Sequence, residues 1–259
     1  MESLLEGNLG LITTRQLARP GWAHVFITDT IGDGNTISMN TREYNYYFPL
    51  FLGRPSQQGE FNGRESNLSN SFLSAMSDRV GSFEPEAALF FIYAVLHSPN
   101  YRNHFENSLT KEFARIPLPG SKSLFENLLR LGASLSNLHL LSIAATEPAP
   151  TCHTESENWL VKKPLHERNG IWIDDAKRSG FRPVAGCVWT FTIGGYQPAQ
   201  KWLKDRRGRT LTQGDIRHYE KMLYAIEETI RIMGQIDEVI EAHGGWPDAF
   251  QVATGGEVR

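Results

Sequence analysis

Up to about Leu52 the apolar residues fall in short runs, Leu9 to Ile12, Val25 to Ile27, Ile37 and Tyr44 to Leu52, separated by turn formers. His24 to Thr28 and Tyr46 to Phe48 are rich in β-branched and aromatic residues, so short strands are predicted there. Ile31-Gly32-Asp33-Gly34-Asn35 has the glycine and Asx chemistry of a tight turn. Gly53 to Arg64 is polar and without period, which predicts an exposed loop. The period then changes. Pro85 suits a first helical position and Ala87 to Leu96 is apolar nearly all round, predicting a buried helix. Ser98-Pro99 restarts the chain as a second helix in a new direction, with serine as the cap. Pro117 and Pro119 bracket an extended piece, and Ser121 to Leu131 has the leucine spacing of an amphipathic helix. Glu147 to Ser156 reads as a long connection, Ile171 to Ile173 and Val188 to Ile193 as strands, and Pro198 to about Asp205 as a proline-started helix. The clearest element is the last. Thr212 to Asp215 resembles a capping box, Ile216, Tyr219, Leu223, Ile226, Ile230, Met233 and Ile240 follow at helical steps, and His243-Gly244-Gly245 should end the helix.

These elements predict an α+β fold: a β-rich lobe, supporting helices and a long C-terminal amphipathic helix. A soft boundary near Glu147 divides an N-terminal part, 1–146, from a C-terminal part, 147–259, and a single domain is equally compatible with the length. Composition leaves this picture unchanged, since 40% hydrophobic and 21% charged residues are ordinary for a folded chain. No run approaches the ~18 apolar residues of a membrane span. The opening MESLLEGNLG carries acids where a secretory signal needs positive charge, so a cytoplasmic location is expected. Cys152 and Cys187, 35 positions apart, are too few for a disulfide framework.

Enzyme signatures are sparse. There is no P-loop, G-x-S-x-G elbow, H-E-x-x-H or C-x-x-C. Gly32-Asp33-Gly34 lacks the third glycine of a dinucleotide fingerprint and reads as a turn. Asp175-Ala176-Lys177 has the acid-x-lysine form of a nuclease metal site without an identifiable upstream acid, which keeps a small metal-dependent nuclease as an alternative. Cys152 and His153 do not complete a metal shell, and no metal is assigned. His97, at the end of its helix, can bond a carbonyl of its own last turn.

Charge is more informative. The chain has a net charge of −3, yet Tyr196 to Arg217 holds six bases (Lys201, Lys204, Arg206, Arg207, Arg209, Arg217) against two acids, and His218 to Arg259 three bases against eight acids. Asp205-Arg206-Arg207-Gly208-Arg209 would present guanidinium groups from a turn, a geometry suited to phosphate oxygens, although a solvated loop paired with the acidic last helix accounts for the same pattern. In Thr13 to Arg19, the side chains of Arg15, Gln16 and Arg19 can form the paired hydrogen bonds that distinguish base edges, and the plain alternative is a polar strand end. A third reading makes the chain a protein-interaction module whose final helix docks through Ile226 and Ile230.

Several of these segments together resemble a known family. Asn8 to Gln16 (Asn-Leu-Gly-Leu-Ile-Thr-Thr-Arg-Gln), Phe48-Pro49-Leu50, Phe91 to Arg102, Arg115 to Pro119, Trp189 to Gln197 and Lys201 to Arg209 are similar, in that order, to the C-terminal specificity region of Type ISP and similar, Type IIG-like, single-chain restriction-modification enzymes. The resemblance implies a target recognition domain that reads a short asymmetric sequence of double-stranded DNA for an adenine-N6 methyltransferase, joined in cis or acting in trans. It places no catalysis on this chain, because the methyltransferase's Asn-Pro-Pro-Tyr type loop and the motor's P-loop are absent here. S-adenosylmethionine, ATP and magnesium are accordingly expected on other domains. The family's Arg-Pro-Phe-Asp block, just upstream of Asn-Leu-Gly-Leu, is also absent, so a fragment or excised domain is the expectation.

Overall fold

The strands predicted at His24 to Thr28 and Tyr46 to Phe48 form, together with one at the Leu9 to Ile12 run, in the computed structural model, which describes residues 7–38, 40, 42–53, 65–142, 152–154 and 158–252. Strand β1 (Gly10–Thr14) lies between β2 (Val25–Thr28) and β3 (Asn45–Pro49), antiparallel to both, with Ile12 opposite Phe26 on one side and Tyr47 on the other. Ile12, Val25 and Ile27 are buried, while β3 turns Tyr46 and Phe48 to solvent, the alternation of a half-covered sheet. The short β4 (Phe51–Leu52) pairs with β5 (Glu65–Ser66); most of the predicted loop between them, 54–64, lies outside the described residues. Gly32 to Gly34 is a turn, as its chemistry predicted: Asp33 Oδ1 accepts the Asn35 N–H at 2.7 Å, and the Asp33 carbonyl accepts the Tyr47 hydroxyl at 2.7 Å.

Helices cover this sheet. The sequence reading passed over α1 (Asn70–Val80), whose Ser69 cap accepts the Phe72 N–H and whose Met76 and Val80 are buried. Helix α2 (Pro85–His97) starts at its proline and is buried on most sides, as its apolar run predicted. Ser98 ends α2 and caps α3 (Pro99–His104), accepting the Tyr101 N–H at 2.9 Å and donating to Asp237 at 2.5 Å, so one serine fixes the corner. A single turn, α4 (Glu106–Leu109), precedes α5 (Lys122–His139), capped by Ser121. Helices α2 and α5 approach closely at Gly132, where a Cβ would lie 1.9 Å from the Phe90 carbonyl oxygen.

A polar cluster sits inside this packing. The Tyr93 hydroxyl bonds His139 Nδ1 at 2.6 Å, and His97 Nδ1 bonds the Tyr93 carbonyl at 2.8 Å, the bond to its own turn expected from sequence. Arg102 donates to the Leu96 carbonyl at 2.8 Å and lies 5.6 Å from the Trp22 ring. Burial, with Arg102 and then His139 adding repulsion, pushes His97 well below the ordinary histidine range; burial and Arg102 push His139 down to about 4. Both rings are therefore neutral near pH 7.

Residues 1–140 with 232–259 make one compact unit and 141–231 a second. The second is built on four antiparallel strands, β6 (Cys152–Thr154), β7 (Leu165–His166), β8 (Ile171–Trp172) and β9 (Ser179–Phe181), in the order β6-β9-β8-β7. Strand β6 falls inside the connection predicted for Glu147 to Ser156, because pairing with β9 satisfies its backbone; the rest of that segment lies outside the described residues. The strand predicted over Val188 to Ile193 is instead the helix α6 (Gly186–Thr190) and a turn closed between Ile193 and Tyr196. Val188, Trp189 and Phe191 all pack on the same core, and the adjacent pair Val188 and Trp189 cannot face one way on a pleated strand. Helices α7 (Pro198–Lys204) and α8 (Gln213–Ala242) keep the predicted bounds. Ile216, Tyr219, Leu223 and Ile226 of α8 join Val161, Ile173, Phe181 and Leu203 in the core of the second unit; Ile232, Ile236 and Ile240, later in the helix, are buried in the first. Among the described residues no helix is long and apolar enough to cross a membrane.

Two outcomes follow from the first unit. Gly132→Ala forces a methyl onto a backbone carbonyl and should lower stability by about 1–3 kcal/mol, read from urea unfolding. His97 and His139 have native pKa values below their unfolded ones, so the unfolded chain binds more protons at low pH. Their contribution is complete above the ordinary histidine pKa and is lost as pH falls toward 4, at up to about 1.4 kcal/mol per pH unit for each ring. Unfolding midpoints measured across that window should drop steeply, and less steeply in His139→Gln.

Candidate nucleic-acid interface

The candidate residues of the first unit, Arg15, Gln16 and Arg19, lie on the turn that follows β1, and all three are exposed. The turn is fastened from beneath. The Leu17 N–H donates to the Thr110 carbonyl at 3.0 Å and the Ala18 N–H to Glu43 Oε1 at 2.9 Å. Glu43 is 6% exposed; it also accepts the Ser38 hydroxyl, and its Oε2 lies 3.3 Å from His24 Nε2, near enough for attraction though not aligned as a hydrogen bond. Burial pushes the Glu43 carboxyl up, but the Ser38 hydroxyl, the Ala18 N–H and His24 together outweigh it and hold it below the usual carboxylate range. For His24 burial wins over Glu43 and lowers it. The turn thus rests on an ionised carboxylate beside a neutral imidazole, which leaves its three polar side chains in water.

The candidates of the second unit follow α7. Lys201 and Lys204 sit in its last turn, and the chain reverses through Asp205 to Arg209, with the Arg209 N–H bonded to the Arg206 carbonyl at 3.0 Å. Gly208 has φ +77°, a left-handed conformation that side chains resist, which allows the reversal. The outgoing segment pairs with 159–161: the Gly208 N–H reaches the Val161 carbonyl at 2.8 Å, the Val161 N–H the Arg209 carbonyl at 3.0 Å, and the Leu211 N–H the Trp159 carbonyl at 3.1 Å.

Five cations adjoining in sequence have different neighbours. The Arg206 guanidinium lies 3.6 Å from the centre of the Trp202 ring and donates to the Trp202 carbonyl at 3.3 Å. Its Nε is 3.6 Å from Asp215 Oδ1, in a pair about 30% exposed. Asp215 in turn caps α8, accepting the Thr212 N–H at 2.9 Å and the Thr212 hydroxyl at 2.6 Å, the reciprocal box that the sequence predicted; the hydroxyl bond is the chief reason its carboxyl is held down. Lys201 pairs with Asp205 at 2.6 Å and Lys204 donates to Gln200 at 3.1 Å, both in water. Arg207 and Arg209 are exposed and, among the described residues, have no side-chain partner. Sequence reasoning grouped all five by charge. It missed Trp202, four residues before Arg206, as the group that draws one guanidinium inward, and Glu43 as the support of the other turn.

The nuclease alternative finds no constellation. Lys177 pairs with Glu167, the Asp174 carboxylate accepts the Ser179 N–H at 2.8 Å, and Asp175 is exposed beside them. Among the described residues no group of three or more His, Cys, Asp or Glu could hold a metal. The docking-helix alternative fares similarly, because Ile226 is in the core of the second unit and Ile230 packs against it.

A mixed α+β fold, with two firmly based turns offering Arg, Lys and Gln side chains, defines a binding module. Residues 1–235 match the Type ISP C-terminal specificity domain, and the chain belongs to that family. The fold is similar to that of the ATP-dependent Type ISP restriction-modification enzyme LlaBIII bound to DNA, with TM-score 0.66 and 16% identity over 90% of this chain and 16% of that one. It is also similar to a nuclease-deletion mutant of the Type ISP enzyme LlaGI in complex with a DNA substrate mimic, with TM-score 0.61 and 17% identity over 88% of this chain and 21% of that one. The DrdV–DNA complex gives TM-score 0.64 and 20% identity over 89% of this chain and 25% of that one. The chain thus spans between 16% and 25% of the length of these structures. No curated protein matches it.

Because Arg206 is stacked and paired inside the second unit, Arg206→Ala should cost about 1–2 kcal/mol in urea unfolding. Arg207→Ala, one residue on, should leave the midpoint unchanged.

Proposed function

We propose that this chain reads a DNA target for a restriction-modification enzyme, supplying sequence specificity to an adenine-N6 methyltransferase joined to it in cis or acting in trans. The observation that carries the proposal is membership of a specificity-domain family in a chain whose Arg207 and Arg209 stand free on a rigid basic turn. A fixed backbone removes the need to order the turn on binding, the planar guanidinium fork engages phosphate oxygens with paired hydrogen bonds, and phosphate contacts set the register of a protein on a duplex. In this reading Arg207 and Arg209 hold phosphates, with Lys201 and Lys204 adding longer-range attraction through their solvent-shared charges. Arg206 keeps the turn in shape. Arg15, Gln16 and Arg19, held out by Glu43, approach base edges, where Arg suits guanine and Gln suits adenine. LlaBIII, LlaGI and DrdV were each solved with DNA or a DNA mimic, which supports the same ligand here. Bond making, with S-adenosylmethionine, ATP and magnesium, belongs to other domains, and the setting is the cytoplasm.

Duplex binding measured against salt tests the proposal. Log affinity should fall linearly with log salt, and Arg207→Ala should flatten that slope by about 0.9, the release expected for one phosphate contact. Gln16→Ala should leave the slope unchanged and weaken discrimination between DNA sequences by about 1–3 kcal/mol. No measurable duplex binding at low salt would overturn the proposal.

A further inference from the structure

The geometry points to Lys162 and Lys163 as part of the phosphate-binding surface, forming with Arg207 and Arg209 one ridge assembled from two distant stretches of chain; this rests on the DNA-reading function proposed above. The two lysines are over forty positions from the basic turn, and composition along the sequence does not connect them. Backbone pairing does. Val161 bonds Gly208 and Arg209 through its carbonyl and its N–H, and Leu160 bridges Thr210, so Lys162 directly follows the residue that holds the basic turn. On its other side the lysine backbone is clamped as well, since the Lys162 N–H donates to the Ile173 carbonyl at 2.8 Å and the Lys163 N–H reaches the same oxygen at 3.3 Å. Ile173 is fully buried, which anchors that clamp in the core.

Both lysines are exposed and, among the described residues, their ammonium groups have no partner. Four cations consequently flank one backbone pairing, Lys162 and Lys163 just after Val161, and Arg207 and Arg209 on either side of Gly208. The surroundings favour a polyanion. Residues 158–231 carry 14 Lys and Arg against 8 Asp and Glu, a net +6 within a chain of net −3.

The test compares salt slopes of duplex binding for the wild-type chain, Lys162→Ala, Lys163→Ala, Lys162→Arg and Arg207→Ala, with thermal midpoints confirming the fold of each. Lys162→Ala and Lys163→Ala should each flatten the slope by about 0.9, as Arg207→Ala does, and Lys162→Arg should keep the wild-type slope. A wild-type chain with no salt-dependent duplex binding would sink the DNA-reading function itself. Flattening in Arg207→Ala, with wild-type slopes in both lysine variants, would leave that function standing and remove the ridge. Flattening in the lysine variants alone would also dissolve it, because the ridge requires the two segments to act together.

Discussion

The hydrogen bonds between 159–161 and 208–211 govern what the second unit can present. A cationic turn on its own would sample many conformations, and each contact with a polyanion would have to order it first. Here the left-handed Gly208 reverses the chain, Val161 captures it at that glycine and at Arg209, and Leu211 carries it into the core where α8 begins. The Arg206 guanidinium, flat on Trp202 and drawn to the aspartate that caps α8, ties the same turn to the helix start. Backbone pairing, ring stacking and helix capping thus converge on five residues, and the charges beside them inherit a fixed origin.

The first unit solves a related problem with different chemistry. Among the described residues no strand pairs with Arg15 to Arg19, and a buried carboxylate supports the turn instead. A carboxylate inside a fold is costly unless donors surround it, and Glu43 has the Ala18 N–H, the Ser38 hydroxyl and a nearby imidazole. Burial favours a neutral His24, and hydrogen bonding favours a charged Glu43. Deeper in the unit the Tyr93, His97 and His139 cluster accepts the same constraint, keeping two rings uncharged beside Arg102.

Much of this was legible along the chain, and the reasons are specific. Helix starts were readable because their chemistry is local: Pro85, Ser98-Pro99, Ser121 and the Thr212 to Asp215 box all act within one turn. The opening strands were readable because their β-branched and aromatic residues fall in short runs between turn formers. Val188 to Ile193 misled because its β-branched and aromatic content reports burial, while the direction of the core decided between strand and helix. Helix α1 was missed because Asn70 to Ser77 is rich in serine and asparagine, whose preference for turns is overridden by burial of Met76 and Val80. At the candidate sites, residue type and exposure could be inferred, whereas partners could not. Nothing local to Lys162 announces Gly208.

Adjacent residues of one type therefore carry different roles, and the difference lies in what stands four residues away or across a strand. Arg206 faces Trp202, and changing it disturbs the fold; Arg207 and Arg209 touch no other side chain among the described residues, so changing them alters only the surface. The same division separates Glu43 from Arg15, Gln16 and Arg19. In the proposed reading the exposed side chains can be exchanged at little cost to stability, while the groups that aim them, Glu43, Trp202, Gly208 and Asp215, are locked into packing, capping or backbone geometry that few substitutions reproduce.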